Sequence, residues 1–368
     1  MSFVAVTATT AGLGTAYEAQ ATTVARWEQW QHIPGVFDVA GLRSDGRLVT
    51  AAHRTLSLLT ADGRRSPYAP AYAAPDGSES YIALSPSTVA GSGCSFARDD
   101  VYALDLSSAT PGVTRVSRSG AVSHFTTVDG VSTLTGIAFD TVGDFGHRLL
   151  VIGPSGTHTT VFAIDCTGTV TTIGTVATAL EGGIAVAPRT FGAHAGQLIA
   201  ANETDGTVYA VSASGALSPV AASAVPAGGD IGVESVGFVP PTGAAVAYMA
   251  DRLTPGNPHP GTDSLLRVSA GALKQAGVVP GDALVGTEGG ATVVDVRCSA
   301  HCSAHVVALG PPTAHGEGKL LVVGAAGAPP AAAETATAGV PATVWIVVGI
   351  AGALIVGVAA VTAVRRRT

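Results

Sequence analysis

Five acidic residues, Asp38, Glu79, Glu181, Glu234 and Glu288, recur along the chain, four of them at the head of short apolar runs: ESYIALSP from Glu79, EGGIAVAP from Glu181, ESVGFVPP from Glu234 and EGGATVVD from Glu288. Carboxylates gathered at one place repel one another. They stay charged only with hydrogen bonds or a cation, and hard oxygen ligands of this kind suit Ca²⁺. The same residues have a second reading, in which each accepts backbone N–H bonds within its own repeat and none meets the others.

A second constellation is Cys298-x-x-His301-Cys302-x-x-His305, with Cys94 and Cys166 elsewhere. On a helix these four side chains would form a stripe too long to meet one ion, whereas a bent loop could hold zinc or copper. Four cysteines allow three pairings; the local bridge Cys298–Cys302 leaves Cys94 with Cys166, and two disulfides imply an oxidising compartment. His147, His194 and His315 each precede a run expected to be the second strand of a repeat, HRLLVIG, HAGQLIAA and HGEGKLLVV, which suggests hydrogen bonds between repeats. His53 follows another such run. The polar loop from Asp251 to Asp263 (DRLTPGNPHPGTD) is long enough to border a ligand mouth. The chain has no GxSxG elbow, HExxH pair, Walker A loop or CxxC pair, and its GxG pairs fall in strand turns without the following helix of a dinucleotide site, which disfavours serine hydrolases, zincins, kinases and dehydrogenases.

The elements that must position these groups follow from self-similarity. The acidic runs, with weaker copies at Asp38 (DVAGLRSD) and Leu134 (LTGIAFDT), start at 38, 79, 134, 181, 234 and 288. In phase with them run tight turns at Gly63, Gly120, Gly168, Gly215 and Gly271, where glycine supplies the positive φ that hairpins require. The fourth unit divides into four short strands: 183–186, 197–201, 207–211 and 216–221. Six units of roughly 40 to 50 residues with four strands each specify an all-β fold, a six-bladed β-propeller of four-stranded blades spanning 22–327. The sixth unit lacks a fourth strand, and Val24–His32 is a strand without a unit, so the N-terminal strand is expected to complete the last blade.

The stretch from Gly182 to Leu217, GGIAVAP…HAGQLIAANETDGTVYAVSASGAL, resembles the repeat of NHL and gluconolactonase/regucalcin-like propellers. That resemblance implies a divalent metal at the channel mouth with Glu, Asn and Asp ligands. Carried onto this sequence, it points to Glu181, Asn202 at the end of a second strand, and Asp251 at the corresponding place in the fifth blade. Asp38, Glu79, Glu234 and Glu288 would be further channel carboxylates.

Of 368 residues, 12% are charged and 47% hydrophobic, with 47 Gly and 21 Pro, which fits a turn-rich β-protein able to bury a large core. The net charge of −7 and the absence of a basic cluster before the last few positions exclude nucleic acid as a partner. The ends of the chain set its location. Val344–Val364 is an uncharged apolar run followed by Arg365, Arg366 and Arg367, with Trp345 at its outer edge. It reads as one C-terminal transmembrane helix (343–364), with the basic tail (365–368) inside and everything before it outside. Residues 328–342 form a Pro/Ala/Thr stalk. Stalk, helix and tail resemble the anchor of Gram-positive surface proteins, and Ala332-Ala333-Glu334-Thr335-Ala336 stands where their LAxTG signal would be, with Ala replacing both Leu and Gly. Residues 1–21 have a weak export-signal pattern, with Ala19-Gln20-Ala21 as its cleavage site. The expectation is a monomeric extracellular propeller tethered to the membrane or wall, binding a protein, glycan or small ligand. The alternatives are a Ca²⁺-dependent lactonase or esterase, and a structural spacer of a surface complex.

Overall fold

A computed structural model describes residues 23–324, apart from 87–88, 92–93 and 242–243. The export segment, stalk and C-terminal helix expected from the sequence, with Trp345, Arg365, Arg366 and Arg367, lie outside the described residues. Among the described residues no helix is long and apolar enough to cross a membrane.

The chain enters through two short strands, β1 (Ala25–Arg26) and β2 (Glu28–His32). The first blade follows in sequence order: β3 (Val36–Ala40), β4 (Leu48–Ala52), β5 (Thr55–Leu59) and β6 (Arg65–Tyr68). The second begins with β7 (Ile82–Leu84), carries a separate hairpin of β8 (Val89–Gly91) and β9 (Cys94–Phe96), and continues with β10 (Val101–Asp105), β11 (Gly112–Val116) and β12 (Val122–Thr127). The third is β13 (Gly136–Phe139), β14 (Leu149–Ser155), β15 (His158–Ile164) and β16 (Val170–Val176). The fourth is β17 (Glu181–Val186), β18 (Leu198–Asn202), β19 (Thr207–Val211) and β20 (Leu217–Ala222).

The last two blades are interleaved. After β21 (Val233–Phe238), the inner strand of blade five, the chain crosses to blade six and lays down β22 (Ala245–Asp251) and β23 (Ser264–Val268). A short helix, α1 (Ala270–Gln275), turns it back, and β24 (Ala283–Thr287), β25 (Val293–Cys298) and β26 (Cys302–Leu309) complete blade five. Only then does β27 (Gly316–Gly324) supply the inner strand of blade six. The six-bladed β-propeller expected from the repeats is therefore present, with two corrections. EGGATVVD is not an inner strand: Glu288 lies in the turn between β24 and β25. Gly271 is in α1 rather than a hairpin, because Ser269 caps the helix by accepting the Ala272 N–H at 3.3 Å.

Burial explains the strand sequences. Inner and second strands are covered on both faces by neighbouring blades and read as continuous apolar runs, whereas outermost strands such as β12 and β20 are half exposed. The turns before the outermost strands of blades one to four repeat one device. Gly63, Gly120, Gly168 and Gly215 have φ between 82° and 92°. Three residues before each, Thr60, Ser117, Asp165 or Ser212 accepts the N–H of the residue after the glycine at 3.0–3.1 Å.

Both ends of the described chain close the ring. β2 pairs antiparallel with β23 as the outer strand of blade six, as the unassigned N-terminal strand required, and β1 adds a fifth, parallel strand to blade five beside β26. Between them the buried Trp27 packs near Leu273 and Val307 and donates its indole N–H to the Ala291 carbonyl at 2.7 Å. Both disulfides are formed. Cys94–Cys166 ties the inserted hairpin of blade two to a turn of blade three, and Cys298–Cys302 bridges facing residues of β25 and β26. The Cys/His constellation is thus a bridged hairpin rather than a metal knot.

Replacing Trp27 by Ala removes a buried anchor of the closure and should lower the unfolding free energy by about 3–5 kcal/mol. Urea denaturation of the full-length chain reads this directly, and a loss below about 1 kcal/mol, within the range of ordinary surface changes, would show that closure does not depend on this residue.

Candidate metal centre

The inner strands β3, β7, β13, β17, β21 and β27 surround the axis, and all run from one mouth of the channel to the other. Four of them are irregular near their starts: the register shifts between Val36 and Asp38 in β3, Glu181 and Ala185 in β17, Val233 and Ser235 in β21, and Glu317 and Leu321 in β27. Such bulges re-aim side chains. Here they turn acidic residues toward the axis. Gly182 (φ 66°) follows Glu181 and lies so close to Glu234 that a Cβ there would meet its Cγ at 2.5 Å; Gly318 (φ 68°) follows Glu317 in the same way. Farther in, a Cβ on Gly183 would meet the Lys319 Cα at 2.8 Å. β17 and β27 therefore pinch the channel into two chambers.

The first chamber collects carboxylates from blades two, four, five and six. Tyr81, fully buried, donates its hydroxyl proton to Glu317 Oε1, while Glu234 Oε1 stands 3.3 Å and Glu79 Oε2 3.5 Å from the same oxygen. One phenol has one proton to give. Arg252 Nη1 bridges Glu79 Oε1 at 2.7 Å and Glu317 Oε2 at 3.2 Å. His315 Nε2 lies 2.9 Å from Glu288 Oε1 and 3.8 Å from Glu317 Oε2. Glu203 hydrogen-bonds Glu288 and accepts the Ile231 N–H at 3.0 Å. Glu181 completes the set and feels the charges of Glu288 and Glu79. Among the described residues two buried atoms of this chamber, Glu234 Oε2 and His315 Nδ1, have no hydrogen-bond partner.

The electrostatics follow from this shortage of donors. Burial, then the charges of Glu317, Glu288 and their neighbours, pushes Glu234 well above the usual carboxylate range. Burial and the charge of Glu79 raise Glu317 to about 7, and burial with the Glu288 hydrogen bond raises Glu203 to about 8. Burial raises Glu181 too. Burial also acts against ionised Glu288, but hydrogen bonds with His315 and Glu203 prevail and hold it low; desolvation works against charged His315, yet Glu288 and Glu317 raise it. Glu288, His315 and Glu317 each offer a ligand atom, and these atoms lie within 4.8 Å of one another. The donor set fits a divalent cation: two carboxylates and an imidazole, with an orphaned carboxylate oxygen on Glu234.

Of the residues singled out from sequence, Glu79, Glu181, Glu234 and Glu288 meet in this chamber. Asp38, Asn202 and Asp251 do not. Asp38 is buried at the first blade, where its carboxylate accepts N–H bonds from Val39, Ile82 and Lys319 at 2.7–2.9 Å; burial still raises it to about 6. Asn202 donates to Thr178 Oγ1 at 2.7 Å and caps its own turn by accepting the Asp205 N–H. Asp251 belongs to blade six rather than the fifth blade and accepts the His315 backbone N–H at 2.8 Å, so it positions the imidazole. The residues reaching the chamber from the ends of these two strands are the next ones along, Glu203 and Arg252. A one-residue step in a strand turns the side chain to the other face. Glu317 was missed because HGEGKLLVV reads as a second strand, although its Glu-Gly pair matches Glu181-Gly182. His315 likewise precedes an inner strand, unlike His147, which precedes the second strand β14, and His194, which lies in a short 3₁₀ turn before β18.

No family model matches the chain, and no curated protein matches it. Solved structures do. A streptogramin B lyase superposes with a TM-score of 0.43 at 11% identity, over 78% of this chain and 74% of that one. A virginiamycin B lyase from Staphylococcus aureus gives 0.39 at 11% identity over 76% and 87%. A calcium-binding regucalcin from Agrobacterium tumefaciens gives 0.38 at 14% identity over 63% and 74%. These structures are six-bladed propellers, and the likeness is one of fold alone.

Glu317, Glu203 and His315 bind protons more tightly folded than unfolded, so their contribution is full below the unfolded values and is lost as pH rises through about 7 to 8. In chelator, the protein should therefore melt at a higher temperature at pH 6 than at pH 8, and Glu317→Gln should flatten this dependence. A wild-type melting temperature that climbs with pH over this window would contradict the assignment.

Proposed function

We propose that this propeller is a divalent-metal-dependent hydrolase of small cyclic or simple esters, with Glu288, His315 and Glu317 holding the ion at the acidic mouth. The observation that carries the reading is the deficit of positive charge. Glu79, Glu234 and Glu317 surround one phenol proton, Arg252 and His315 are the only basic side chains in contact with the group among the described residues, and Glu234 Oε2 is left without a partner. Burying carboxylates in this way is costly unless a cation joins them. Oxygen donors alone accept Ca²⁺, while the imidazole extends the range to Mn²⁺ and Zn²⁺.

When bound, such an ion supplies Lewis acidity to a carbonyl oxygen. The chain's own groups supply the rest. Glu203, protonated near neutrality and only partly buried, can exchange a proton with the reacting oxygen from its position beside Glu288. Tyr81 fixes the Glu317 carboxylate through its hydroxyl, and Asp251 fixes His315 through the backbone. Arg252, at the rim, balances Glu79 and Glu317 and presents a guanidinium to an entering anionic group. We further propose that the domain works outside the membrane, a reading that the two disulfides support.

The full-length chain, purified without chelator and supplied with Ca²⁺, Mn²⁺ or Zn²⁺, should bind about one equivalent of at least one ion. At a hundredfold excess over Kd this gives about 2.7 kcal/mol of stabilisation, seen as a rise in melting temperature. Glu317→Gln and His315→Ala should abolish the rise. Hydrolysis of small lactones or aryl esters should stop in chelator and fall by about 10²–10⁴ in Glu203→Gln, the usual weight of a general acid or base. Metal binding without turnover, or no metal binding at all, would remove the hydrolase and return the domain to the ligand-binding reading.

A further inference from the structure

Beyond the waist at Gly183 and Lys319, at the ends of the inner strands, lies a second chamber of about 230 Å³. Ala83, Phe139, Val186, Phe238, Leu321 and Lys319 contribute to its wall. The Lys319 side chain remains partly exposed there, and among the described residues its ammonium makes no hydrogen bond or ion pair. The nearest acid that acts on it, Asp38, is not free to move toward it. Asp38 Oδ1 holds the N–H groups of Val39 and Lys319, and Oδ2 holds that of Ile82. The charge of Asp38 reaches the ammonium but offers it no direct contact, so burial still lowers the Lys319 pKa, and an entering anion that touches the ammonium relieves that cost.

We infer that this chamber binds a small carboxylate with an apolar body, its carboxylate on the Lys319 ammonium and its body against Phe139, Val186 and Phe238. Size narrows the class. A cavity of about 150 Å³ holds benzene, and drug-sized ligands need about 300 Å³ or more. The space here lies between those volumes and is open to solvent on one side, so it can seat the carboxylate end and ring of an aromatic or short aliphatic acid such as benzoate or hexanoate. The site lies at the end of the channel opposite the glutamates and is independent of whether a metal binds there.

Calorimetric titration of the full-length chain with benzoate, and with benzyl alcohol as its neutral counterpart, tests the inference. Benzoate should bind more tightly than the alcohol, and Lys319→Met should weaken benzoate by about 10- to 100-fold, the worth of a charge-assisted hydrogen bond, while leaving the alcohol nearly unchanged. A second measurement needs no variant. The chain has two lysines, Lys319 and the exposed Lys274. Benzoate should slow acetylation of Lys319 by acetic anhydride, read by peptide mass spectrometry, and leave Lys274 unaffected. Equal affinity for benzoate and benzyl alcohol, or acetylation of Lys319 that benzoate does not slow, would overturn the inference.

Discussion

The organisation of the channel depends on one imbalance: Glu79, Glu181, Glu203, Glu234, Glu288 and Glu317 share one phenol, one imidazole and one guanidinium. Every other feature of the mouth accommodates this. Protons remain on carboxylates that would ordinarily be ionised, Glu288 keeps its charge only beside His315, and Arg252 reaches across from blade six to Glu79 of blade two. The fold holds groups of like charge together because each is fixed by a different blade. A flexible loop carrying the same residues would relax by moving them apart.

That rigidity comes from how the ring is closed and braced. β1 and β2 join the N-terminal segment to two different blades, so parting the ends requires both pairings and the Trp27 contact to be lost. In the chain-entropy account, the Cys94–Cys166 bridge, enclosing 72 residues, contributes about 4 kcal/mol, against about 2 kcal/mol for Cys298–Cys302, which spans only four. The longer bridge braces the third of the ring formed by blades two and three, where the inserted hairpin would otherwise hang from one blade.

Most of the architecture was legible because hairpin chemistry is local. Gly63, Gly120, Gly168 and Gly215 mark their turns through φ alone, and the orphan strand at Val24–His32 announced the closure. The sixth inner strand was not legible, since interleaving removed β27 from the place the repeat assigned to it and left Glu288 in its phase. The site was half legible for a similar reason. Repetition exposed Glu181 and Glu234, but whether Asn202 or Glu203 enters the chamber is decided by one step of strand alternation, and the aim of Glu181 and Glu317 is set by bulges that exist only in the paired sheet.

The crossing between blades five and six also bears on how such a ring can change over generations. Propellers are built from units that can be duplicated, lost or exchanged one blade at a time, provided each unit is a continuous stretch of chain. Blades one to four meet that condition. Blades five and six do not, because neither can be excised without cutting the other, and the segment from Glu234 to Glu317 that entwines them carries half of the mouth's carboxylates together with Arg252 and His315. This pair must be inherited or lost as one block, so Glu234, Glu288, His315 and Glu317 travel together while the glutamates of blades two and four stay open to exchange.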